Sequence, residues 1–165
     1  MGLHIHIVTD NYHEVYSTEF FKNEPEYRSK MHLSKDFAEL MARLNVSFGM
    51  SELMQVESIS EVKLSAIWDM ATFHGEEGNT LDHNINPVIE TVDRLIEKLN
   101  TVENLQTKIE PYDDDIDLEF YFSDFSRDIV NGTSDNNFGQ DLRNFKRFLE
   151  YALSKGASKV WFNIE

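Results

Sequence analysis

His4 and His6, two positions apart in the opening stretch LHIHIVTD, are the first residues whose types and spacing could do chemistry. On a β-strand, residues i and i+2 project to the same face with about 6–7 Å between their Cα atoms. Two imidazoles so placed could share a zinc ion or a similar N/O-binding metal and recruit a carboxylate to complete the site. The candidate further ligands are Asp10, His74, Glu76, Glu77, Asp82 and His83. The stretch 74–83 is the most suggestive partner, because it holds two histidines and three acids in ten residues. The chemistry implied would be metal-dependent hydrolysis. The plainer reading is the wet face of an amphipathic strand, since Leu3, Ile5 and Ile7 alternate with the histidines, and the sequence favours it.

The acidic run YDDDIDLE is the second cluster. If extended, it lines Asp113, Asp115, Asp117 and Glu119 along one face, which would attract Ca²⁺ or Mg²⁺. It is not an EF-hand loop: the sixth position counted from Asp113 is Leu118 rather than Gly, and the twelfth is Asp124 rather than Glu. As the outward face of an edge strand, the same charges would block edge-to-edge association. Asp113, Asp114, Asp115, Asp117 and Glu119, with Trp161 as an aromatic anchor, are the predicted interaction residues.

A third polar cluster, FSDFSRDIVNGTSDNN, lies between a predicted strand and a predicted helix. Its acids oppose an anion, and no phosphate-cradling Gly pattern occurs anywhere in the chain. The pair Asp124 and Asp128 could exchange protons, but the spacing does not single it out. No G-x-S-x-G elbow is present, and nothing in the spacing of Ser, His and Asp selects a triad.

The elements that must position these residues follow from periodicity. Leu3–Val8 reads as a half-buried strand, and residues 10–31 as irregular. Ser34 caps a helix carrying Phe37, Leu40, Met41 and Leu44, ending near Asn45. Ser51 caps a second helix, and KLSAIWDM forms a further turn that docks Ile67 and Trp68. Asn86 and Pro87 open a helix with the stripe Val88, Ile89, Val92, Leu95, Ile96 and Leu99, ending near Asn100. LQTKIEP and IDLEFYF read as two strands that could pair as a hairpin. The last helix runs from about Asn137 to Lys155, with Gly156 at a left-handed C-cap. SKVWFNIE closes the chain as a strand, with Val160, Phe162 and Ile164 on one face and Trp161 on the other. The expected architecture is α+β: one domain over 1–165, a single small sheet of three to four strands, and three to four helices. The first and last strands could pair, or IDLEFYF and the last strand could be parallel neighbours joined by a right-handed crossover.

Bulk properties bound the function. The chain has 165 residues and 41% hydrophobic residues, enough for one core. It has no cysteine, so disulfides, thiolate metal sites and a cysteine nucleophile are excluded, and a reducing compartment fits. The sequence shows no signal-peptide pattern and no run of roughly 18 apolar residues, so a soluble cytoplasmic protein is expected. Net charge is −15. That disfavours direct nucleic-acid contact and anionic membranes, and favours a basic protein partner. The charge is uneven: residues 1–140 carry 27 acids and ten bases, whereas 141–165 carry three acids and five bases. The simplest account is a basic tail packed on an acidic body.

These features predict a non-enzymatic binding or inhibitor domain, with no cofactor, that engages a basic macromolecule. Bacterial immunity and inhibitor proteins, which neutralise nucleases by mimicking phosphate charge, share this profile. Amidohydrolase-like enzymes carry His-x-His on an early strand, but their barrels need about 200 or more residues. The alternative is a smaller metal-dependent hydrolase, with zinc held by His4, His6, His74, Asp82 and His83. Oligomeric state is left open.

Overall fold

The computed structural model describes residues 3–17, 33–43, 49–71, 83–127 and 136–165. Two strands, β1 (Ile5–Thr9) and β2 (Val160–Ile164), pair antiparallel and bring the two ends of the chain together. Between them lie seven α-helices among the described residues. These are α1 (Tyr12–Ser17), α2 (Lys35–Ala42), α3 (Glu52–Ser60), α4 (Ser65–Ala71), α5 (Ile85–Leu99), α6 (Leu118–Tyr121) and α7 (Phe138–Ser154), with a 3₁₀ turn at Leu105–Thr107. The α+β class holds, but the described residues contain two strands rather than three to four, and more helices than expected.

Helix starts follow the capping residues. The hydroxyls of Ser34 and Ser51 accept from the backbone N–H of Phe37 and Met54, and the Asn137 side chain accepts from Gln140. The α5 start differs from expectation: the helix begins at Ile85, after Asn84, so Pro87 lies within the first turn. The end of α7 is a Schellman motif. Ala157 donates to the carbonyl of Ala152 (2.9 Å) and Gly156 to that of Leu153 (3.0 Å), with Gly156 at φ +98°. Helix α1 occupies residues expected to be irregular, and its Tyr16 hydroxyl donates to the Ile7 carbonyl.

The expected hairpin of 104–110 with 116–122 does not form. Residues 105–107 make the 3₁₀ turn, and 118–121 make α6, whose N-cap Asp117 accepts from Phe120 N–H (3.2 Å). Side chains of α3 take the place of a partner strand. Gln55 donates to the Glu110 carbonyl (2.8 Å) and accepts from its N–H (2.7 Å), and Glu52 accepts from Tyr112 N–H (2.9 Å). With those backbone groups satisfied, no ladder is needed. The proposed crossover from IDLEFYF to the last strand falls with the strand.

The core lies between β1–β2, α2, α4, α5 and α7. Helix α5 packs along α7, and α4 packs on β2 and α5. Two aromatic groups tie it together. Phe37, Phe145 and Phe162 join α2, α7 and β2 with ring centroids 5.3–6.2 Å apart. Tyr121, Phe122, Phe125 and Phe138 join α6 and the segment after it to the start of α7. Of the bases in the 141–165 tail, Lys146 of α7 pairs with Asp93 of α5, Lys159 donates to the neutral Asn84 side chain, and Arg143 donates to the Phe125 and Arg127 carbonyls.

Candidate functional site

The acidic segment around Asp113 folds over one cation. Arg43, just past the end of α2, has only 9% of its side chain exposed and is surrounded by four carboxylates. Its guanidinium reaches Asp113 (2.7 Å), Asp115 (2.8 Å), Glu52 (3.4 Å) and Glu39 (3.8 Å). These come from α2, α3 and the 113–115 turn, so one planar fork of donors holds three pieces of chain together. Glu52 is fully buried, and its second oxygen has no hydrogen-bond partner among the described residues. Four carboxylates against one guanidinium leave a surplus of negative charge. Nearby Asp36 is held above the usual carboxylate range chiefly by its burial, with Asp117 and Glu39 adding to this against the pull of Lys35 and Arg43.

Beside this clamp lies an open groove of about 690 Å³. Its floor is apolar, with Ile109 and Ile116 nearly buried and Leu118 half-buried. Its rim carries Asp113, Asp114, Asp117 and Glu119. Asp113 is committed to Arg43, and also accepts from Asp115 N–H (2.9 Å). Asp117 caps α6 through one oxygen. Asp114 and Glu119 are exposed. Across residues 103–119 the sequence holds seven acids and one lysine, so the groove sits in the most acidic stretch of the described surface. Two exposed aromatic side chains, Tyr112 and Phe120, each 42% accessible, belong to the same segment. Exposed Met50 is linked to it through Gln55, which donates to both the Met50 and the Glu110 carbonyls.

Helix α6, which carries Leu118 and Glu119, is anchored from behind. The buried Asp141 carboxylate accepts from Ser34 N–H (2.9 Å) and Asn136 (3.0 Å) at one oxygen. At the other it accepts from the hydroxyls of Ser34 (2.5 Å) and Tyr121 (2.8 Å). Burial pushes the Asp141 carboxyl up to about 6, although all four hydrogen bonds favour its charged form. Burial, and then the Asp141 carboxylate, push the Tyr121 phenol well above its ordinary value. Both directions follow from sharing one dry site.

The predicted interaction residues are thus partly gathered. Asp113, Asp114, Asp117 and Glu119 share the groove, and Asp115 joins Asp113 on Arg43. They do not line one face of a strand, because the segment turns at 112–116 and becomes helical at 118. Trp161 sits half-buried on the outward face of the sheet, opposite Val8.

His4 and His6 also lie on that outward face, both exposed, as strand alternation predicts. His4 pairs with Glu165 and His6 with Asn163 across the ladder. Among the described residues no group of three or more His, Asp or Glu side chains is placed to hold a metal ion. His83 is half-buried before α5, with its backbone carbonyl accepting from Val160. Asp10 is occupied by Ser158 and Lys159: one oxygen accepts both backbone N–H groups (2.9 and 3.1 Å), the other the Ser158 hydroxyl (2.6 Å). Burial would raise the Asp10 carboxyl, but these bonds outweigh it and hold it below the usual range. His74, Glu76, Glu77, Asp82 and Asp128 lie outside the described residues. Asp124 is exposed, at φ +47°, with Arg127 at 3.7 Å.

Sequence reasoning missed Arg43, Glu52, Tyr112, Phe120 and Asp141. Only Glu52 and Asp141 left a local trace, as acids in the first turns of α3 and α7. Comparison of the chain with protein-family models, with curated proteins and with solved structures finds no match. No helix among the described residues is long and apolar enough to cross a membrane.

Proposed function

We propose that this protein is a non-enzymatic binding or inhibitor domain, immunity-like in its physical profile, that engages a basic macromolecular partner, a protein rather than a nucleic acid. The observation that carries this reading is the groove with an apolar floor and a carboxylate rim, set in the most acidic stretch of the described surface. Such a surface repels phosphate backbones and attracts cationic protein faces. The rim supports a binding reading, because Asp113 is taken by Arg43 and Asp117 caps α6, while Asp114 and Glu119 stand exposed to a cationic partner. The test is affinity capture with the wild-type chain and with the triple variant D114N/D117N/E119Q. A basic partner retained at low salt, released by salt, and not retained by the variant is the expected result. Equal capture by both chains overturns the reading.

The competing proposal, a zinc-dependent hydrolase, has one observation on its side: His4 and His6 share an exposed face. Metal analysis of untagged protein decides between the two. Near-stoichiometric zinc lost in H4A/H6A would favour the hydrolase.

A further inference from the structure

We infer that the occupant of the groove is a cationic amphipathic segment of a protein partner, read by Asp114, Asp117 and Glu119 on the rim and by Leu118 inside it, and extending past the groove onto the exposed rings of Tyr112 and Phe120 in the same segment. This rests on the binding reading above and narrows it to one class of ligand and one set of residues.

Four observations lead here. First, the acids of the run are not equivalent. Asp113 and Asp115 lie 2.7 and 2.8 Å from the Arg43 guanidinium, so an internal cation already occupies them. Asp114 and Glu119 stand exposed on the groove rim, away from that cation. Asp117 gives one oxygen to Phe120 N–H, which leaves the other open to a partner. Second, the groove is not merely charged: half-buried Leu118 opens into it, over the nearly buried Ile109 and Ile116, and a bare polycation would leave that side chain wet. Third, two of the five large hydrophobic side chains exposed among the described residues, Tyr112 and Phe120, bracket this run, and a third, Met50, is tied to it through Gln55. Aromatic rings in an acidic surround suit both the apolar stems and the cationic heads of Lys and Arg. Fourth, the segment is held in shape before any partner arrives, by Gln55 and Glu52 on its backbone and by Arg43 on its turn. A preformed site binds with a smaller ordering penalty.

Arg43 therefore sets the shape of the rim without facing the ligand, and the ligand's cations meet only the acids that Arg43 leaves uncommitted. Charge complementarity selects a cationic segment, and Leu118 together with the exposed rings of the same stretch selects one that also carries apolar side chains.

The probe is a synthetic amphipathic peptide of lysine and leucine at helical spacing, compared with an all-lysine peptide of equal charge, each titrated into the full chain. The Lys–Leu peptide is expected to bind about tenfold or more tightly than the all-lysine one. Y112A and F120A should remove most of that preference, each lowering affinity by about fivefold to tenfold at unchanged salt slope. D114N and E119Q should each flatten the salt dependence of binding, whereas D115N should not. Melting curves of the exposed-site variants should match the wild type, so that loss of binding is read as loss of contact. Equal affinity for the two peptides, or a D115N effect as large as that of D114N, overturns the inference. Salt-sensitive capture of a basic partner that is lost in D114N/D117N/E119Q, without any Lys–Leu preference, would overturn the inference while leaving the broader binding reading standing.

Discussion

Ser34 and Asp141, 107 residues apart, meet through two hydrogen bonds: the Ser34 N–H donates to one carboxylate oxygen at 2.9 Å and its hydroxyl to the other at 2.5 Å. The same hydroxyl accepts from Phe37 N–H, so one serine both opens α2 and clips it to the first turn of α7. Tyr121 donates to Asp141 from the end of α6, which places the groove-bearing helix under the same carboxylate.

This carboxylate makes stability depend on pH. Its folded value, about 6, lies above the ordinary 3.8, so the folded protein holds the proton more tightly than the unfolded chain. The stabilising contribution is full below about 3.8 and is lost as pH rises through about 6. A shift of this size corresponds to about 3 kcal/mol across that window. Urea melts should show it in the wild type and not in D141N. The variant should also lose about 1–3 kcal/mol near neutral pH, because an amide cannot accept at both positions. Asp10 works in the opposite direction, its stabilisation being lost as pH falls through its lowered value.

Removing the internal cation should be costly. Arg43→Met leaves fully buried Glu52 without its charge partner and frees the 113–115 turn, for an expected loss of about 3–5 kcal/mol in chemical denaturation. Arg43→Lys should recover only part, since an ammonium cannot reproduce the fork. If the doubly substituted R43M/E52Q chain is no more stable than R43M, the buried carboxylate is not the source of the loss.

Gly139 marks a close approach of α7 to the preceding segment. A Cβ there would stand 1.9 Å from the Phe125 carbonyl oxygen and 2.9 Å from Arg143. The carbonyl is backbone and also accepts from Arg143, so it cannot step aside freely. Gly139→Ala should cost about 1–3 kcal/mol or more and lower Tm correspondingly. An unchanged melting curve would contradict the packing.

At Gly156 the constraint is conformational rather than steric. A Cβ added there would meet no atom within 4 Å, yet φ is +98°. Gly156→Ala should cost about 1 kcal/mol through backbone strain at the end of α7. Thermal melts of the two glycine variants together separate strain from clash.

Some of this molecule is decided by neighbours along the chain and some only by neighbours in space. The sequence by itself determined the caps at Ser34, Ser51 and Asn137, the α5 stripe, the left-handed Gly156 and the alternation in both terminal strands, because each depends on residues within a turn or two of one another. It also determined the acidic character of 103–119 and the α+β class. It misjudged IDLEFYF, where period-2 alternation is real but Asp117 offers a helix cap and α3 side chains satisfy the upstream backbone. Only the tertiary structure decided which acids are spent and which remain open. Arg43 draws carboxylates from α2, α3 and a turn some 70 residues further on, and Asp141 draws donors from Ser34, Tyr121 and Asn136. Partnerships of that kind have no period and no motif. They arise from burying charge where only a particular set of distant donors can satisfy it.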